Sequence, residues 1–230
     1  MLLAMQRAVF IKAMPLRALG ATGEQATAIC AEIERRVPEL VERHAALLPA
    51  DCDRAATHLE RGCLALAAWD AIAEADAACA DASDEAVTHC IGAGLGMDLT
   101  AAATETTTDT SAAPATLGFL QSAGVRFNSL FSRDTTKMNQ GLADKFYLDL
   151  GKGFEIVASP DHPPPSFVME KCLYYDLAHE GGAPSLTRIF WAEHRGAFAS
   201  VPGFTFEGDH TVSPQCSFTF AAKEEDAAGG

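Results

Sequence analysis

The spacing of the apolar residues differs between the two ends of this chain, and the difference limits the folds open to it. From Thr22 to Gly96 they recur at steps of three and four. Ile29, Ile33, Val37 and Leu40 form one series, Leu59, Cys63, Leu66, Trp69 (or Asp70) and Ala73 a second, and Val87, Cys90 and Ile91 a third. Such a stripe matches the helical repeat of about 3.6 residues per turn. Near the other end Cys216, Phe218 and Phe220 alternate with Ser217 and Thr219, which is the two-residue period of a strand. The expected class is α+β, with a helical N-terminal half packed on a small, mostly antiparallel sheet formed by the C-terminal half.

Local signals set the boundaries. Thr22-Gly23-Glu24-Gln25 has the form of a capping box and starts a helix. Pro38 should kink or divide that helix, and Leu47-Leu48-Pro49 should close it. A second, well-buried helix is expected from Asp53 to Cys79. Ser83, followed by Asp84 and Glu85, opens a third that Gly92, Gly94 and Gly96 should stop. The stretch Thr100 to Thr116 is low in complexity and reads as a mobile surface loop, with an interdomain linker as the competing view.

Beyond the loop, 117–131 and 142–150 read as short helices with Phe127, Leu130, Phe131, Phe146 and Leu148 as core. Phe154 to Ala158 and Phe167 to Cys172 form a hairpin around the Pro-rich turn 160–165. Tyr174 to Glu180 and Ser185 to Phe198 are helices separated by Gly181-Gly182, and 203–208 and 216–220 are strands. The whole chain, 1–230, is expected to be one domain. Its parts are a helical section 1–99, a flexible loop 100–116, an α+β section 117–222 and a frayed acidic tail 223–230.

Charge narrows the partners. Thirty-one acidic residues against 17 basic give a net charge of −14, a field that repels phosphate backbones, so no nucleic acid is expected. A small anionic substrate stays open, because one local Arg or Lys reverses the sign inside a pocket. No apolar run approaches the ~20 residues that a membrane helix needs, so no membrane partner is expected. Met1 to Met14 is broken by Gln6, Arg7 and Lys12 and reads poorly as a signal peptide. The seven cysteines, at 30, 52, 63, 79, 90, 172 and 216, contain no CxxC pair. They read as free thiols in a reducing compartment, so the chain is expected to be cytoplasmic, with organelle targeting and homo-oligomerisation left open.

Nucleotide and metal motifs are absent. Gly92-Ala93-Gly94-Leu95-Gly96 follows a helix rather than a strand, which argues against phosphate binding, and no GxSxG elbow occurs. Asp176 with His179 or Glu180 could share a helical face and Asp209-His210 lies nearby in sequence, but such spacing is common by chance. Neither a metal nor another cofactor is expected.

The C-terminal section carries a more specific pattern. Glu170-Lys171-Cys172-Leu173-Tyr174-Tyr175 is followed by Gly182-Ala183-Pro184-Ser185-Leu186-Thr187-Arg188-Ile189-Phe190, then Thr211, then Cys216-Ser217-Phe218. In order and spacing this resembles the C-terminal signature of the L-2-amino-thiazoline-4-carboxylate hydrolase family. Cys172, Tyr174, Leu186, Phe190, Thr211, Cys216 and Phe218 fall on matching positions. Trp191 stands where the family has Cys, His194 where it has Asp, Glu207 where it has Arg, and Ser217 where it has Asp. The polar positions are thus the altered ones.

The resemblance implies hydrolytic opening of a small cyclic amidine, giving a carbamoyl-cysteine. On it, Cys172 is the candidate nucleophile with His194 as the cation that lowers its pKa, and Tyr174 and Glu207 move protons. Arg188 or Arg195 would clamp the substrate carboxylate; Trp191, Thr211 and Cys216 complete the substrate-binding set. Each residue also has a plainer reading. A Cys closing a strand is commonly a small buried hydrophobe, Cys216 alternates with two Phe as core, His194 sits among charged neighbours, and Trp191 fills space. A descendant of the family that binds a small molecule or supports an assembly without hydrolysis is therefore the alternative.

Overall fold

The computed structural model describes residues 2–47, 53–75, 79, 82–96, 99, 153–159, 166–198, 204–207 and 216–220. The expected loop 100–116, the expected helices at 117–131 and 142–150, the turn 160–165 and the tail 223–230 lie outside these residues. Their architecture is α+β, a helical N-terminal half packed against a C-terminal unit with a small antiparallel sheet.

Four helices come first: α1 (Leu2–Ala13), α2 (Gly23–His44), α3 (Asp53–Ala73) and α4 (Asp84–Gly94). The capping box at the start of α2 forms as its residues dictate. The Thr22 hydroxyl accepts from the Gln25 backbone N–H at 3.3 Å, and the Gln25 side chain accepts from the Thr22 N–H at 2.8 Å. Ile29, Ile33, Val37 and Leu40 are buried along one face of α2, where α3 packs. Burying each such side chain is worth roughly 1.5–3 kcal/mol. Pro38 does not divide α2, which runs on to His44. Pro38 and Glu34, whose carbonyl loses its helical partner, are both exposed, on the solvent side of the helix where an unpaired carbonyl costs least.

One further boundary is corrected. Helix α3 ends at Ala73 rather than Cys79. Its buried stripe ends on Ala71 and Ile72, and Ala73 is exposed. Helix α4 stops in the expected glycine run, with Gly94 its last residue, Leu95 the C-cap and Gly96 at a left-handed φ of 79°, while Gly92 lies inside it. At Gly94 a Cβ would meet Met14 and Phe10, so the bare backbone is what lets α1 lie against α4.

The C-terminal unit begins with strands β1 (Phe154–Ser159) and β2 (Ser166–Cys172), an antiparallel pair with a register shift between Glu155 and Ile156. Helix α5 (Leu173–Glu180) follows β2 with no connecting loop and ends at Gly181-Gly182, where Gly182 takes a left-handed φ of 70°. A 3-10 turn (Pro184–Leu186) leads into α6 (Thr187–Phe198). Strands β3 (Phe204–Glu207) and β4 (Cys216–Phe220) complete a sheet of order β1-β2-β4-β3, antiparallel throughout. Helix α5 packs on α3 and joins the two halves. Leu59, Ile72, Ile91, Leu173, Leu177 and Ile189 bury themselves in one continuous core that spans both. Among the described residues no helix is long and apolar enough to cross a membrane.

Candidate functional site

Cys172 and Tyr174 stand at the junction of sheet and helix. Cys172 is the last residue of β2 and the N-cap of α5, with an extended backbone (φ −131°, ψ 114°). Its thiol is 3% exposed. Burial pushes its pKa up to about 11, against the lowering effect of hydrogen bonds from the Tyr175 and Tyr174 backbone amides and with a further push from Asp176. At neutral pH Cys172 is therefore a protonated thiol. His194, the expected cationic neighbour, lies on α6 with its side chain outside the described residues.

Tyr174 is the hub of the junction. Its ring stacks face to face on Phe190 of α6, with centroids 3.8 Å apart and planes 2° from parallel. Phe154 meets it edge-on at 5.8 Å. Its hydroxyl lies 2.6 Å from Nδ1 of His58, which comes from α3. The His58 ring is in turn edge-on to both Tyr174 and Phe154. Gly62, one turn after His58, has no side chain to hold α5 away: a Cβ there would come within 2.5 Å of Leu177 and 3.5 Å of Tyr174.

The other expected residues are dispersed over α6 and the far strands. Arg188 and Trp191 are half-buried on α6, and Arg195 lies on the same helix. Glu207 ends β3 opposite Ser217, while Cys216 begins β4 opposite Met169 of β2. Thr211 lies outside the described residues, as do Asp209 and His210. The structure thus joins Cys172 and Tyr174 in one buried turn and places Arg188 two residues from the Phe190 that stacks on Tyr174. The side chains of Arg195, Glu207 and Cys216 are not among those described.

Asp176, His179 and Glu180 do not converge on a common point. His179 stacks against Tyr175 at 4.0 Å, and Glu180 reaches toward His44 of α2 at 3.5 Å. Asp176 is half-buried, and burial raises its pKa. Among the described residues no group of three or more His, Cys, Asp and Glu side chains could hold a metal ion.

Two residues of the junction escaped the sequence reading. His58 and Gly62 sit four apart beside the apolar stripe Leu59, Cys63 and Leu66, so both belong to one helix face. That spacing was the only local signal. An open depression of about 760 Å³ lies elsewhere, lined by Leu19, Ala86, His89, Cys90, Ala93 and Leu99 among others, none of them in the signature. Comparison with protein-family models, with curated proteins and with solved structures finds no match to this chain.

Proposed function

We propose that the chain is a hydrolase-like protein of the aminothiazoline-carboxylate type, opening a small cyclic amidine or a related C–N or C–S bond. One observation carries the reading. Tyr174 and Phe190, from separate pieces of the signature, stack on each other at 3.8 Å, with Cys172 and Arg188 each two residues away from this pair. Tyr174 supplies a group able to pass a proton, and Arg188 a fixed cation for a substrate carboxylate. Because burial keeps Cys172 protonated, attack at the amidine carbon falls to water. The test is to incubate the purified chain with L-2-amino-thiazoline-4-carboxylate in ¹⁸O-labelled water and follow the products by mass spectrometry. The expected product is a carbamoyl-cysteine carrying one ¹⁸O, lost in Tyr174→Phe. No product at saturating substrate defeats the reading.

A second reading has its own support. Cys172 is 3% exposed and Tyr174 1% exposed, which suits a family descendant that has lost hydrolysis and acts as a small-molecule-binding or assembly protein. Its mark is heat released on mixing with the same compound, measured by titration calorimetry, without turnover.

A further inference from the structure

We draw no further inference here: the strongest candidate, the open depression between the 3-10 turn Leu16–Leu19 and α4, with His89 and Cys90 among its lining residues, is an apolar face with nothing among the described residues to show what covers it.

Discussion

Adding one methyl group at Gly62 pits two effects against each other at the contact between α3 and α5. The residue lies in the interior of α3, where replacing Gly by Ala in open space gains roughly 0.5–1 kcal/mol of backbone entropy. The space is not open. The new Cβ would sit 2.5 Å from Leu177 Cδ1, roughly 1 Å inside the optimal carbon–carbon separation of about 3.5–4.0 Å. Leu177 is 2% exposed, so its methyl group has to move within the core or α5 has to shift. Overpacking of this kind costs about 1–3 kcal/mol. The net expectation for Gly62→Ala is a loss of about 1–2 kcal/mol, read as a lower urea midpoint at unchanged slope.

The double variant isolates the cause. In a Leu177→Ala background the obstruction is gone, and Gly62→Ala should now stabilise by a few tenths to 1 kcal/mol, a change of sign between the two backgrounds. Gly23→Ala, where nothing lies within 4 Å of the added atom, serves as the unobstructed control. If Gly62→Ala is as stable as the parent, or if its effect is the same with Leu177 and with Ala at 177, then α5 does not press on α3 as described.

Two other predictions concern buried charge. The carboxylate of Glu60, 7% exposed, is held by the Arg7 guanidinium from α1. Arg7→Ala strands that charge and should cost about 1–3 kcal/mol, toward the low side for a pair whose arginine meets some solvent, whereas Glu60→Gln should cost less; equal losses in a urea series rule the pairing out. Burial pushes the thiols of Cys63 and Cys90 up to about 12 and that of Cys172 to about 11, from a reference of 9.0. A folded pKa above the unfolded one means the native state holds the proton longer. This contribution is complete below pH 9 and is lost as the pH rises toward 11 and 12, at roughly 1.4 kcal/mol per unit for each thiol. The urea midpoint should fall steeply between pH 9 and 11, and Cys63→Ala should flatten the fall; a flat midpoint across that range contradicts the burial argument.

What the sequence revealed divides according to the range of the interaction. The capping box at Thr22, the N-cap at Ser83 and the stop at Gly181-Gly182 were legible because each is decided within four residues. The period change was legible because one buried face imposes it. Pro38 misled because a proline costs a helix little where the carbonyl that it orphans faces water. The glycine run that ends α4 was legible too, but the close approach of Gly92 to Leu99 and of Gly94 to Phe10 and Met14 was not, because local sequence does not name those partners. His58 was missed for the same reason at greater length, since its partner Tyr174 is 116 residues away. A lone histidine beside an apolar stripe carries no mark of what it will meet.

Cys172 shows why motif position and chemical state have to be argued separately. As N-cap of α5 it receives hydrogen bonds from the Tyr174 and Tyr175 amides, the arrangement that makes a helix N-terminus favour a thiolate. The same location places it behind β2 and under the core, and desolvation outweighs the amides to leave a pKa of about 11. At pH 7 that leaves roughly one thiolate in ten thousand. A nucleophile at such dilution forfeits about 5 kcal/mol before any bond forms, with the help of the two amides already included. The neighbouring phenol needs no charge to hydrogen-bond, and its oxygen lies 2.6 Å from Nδ1 of His58. Whatever chemistry this junction performs, hydrogen bonding through Tyr174 is the part that its burial favours, and thiolate attack by Cys172 is the part that its burial opposes.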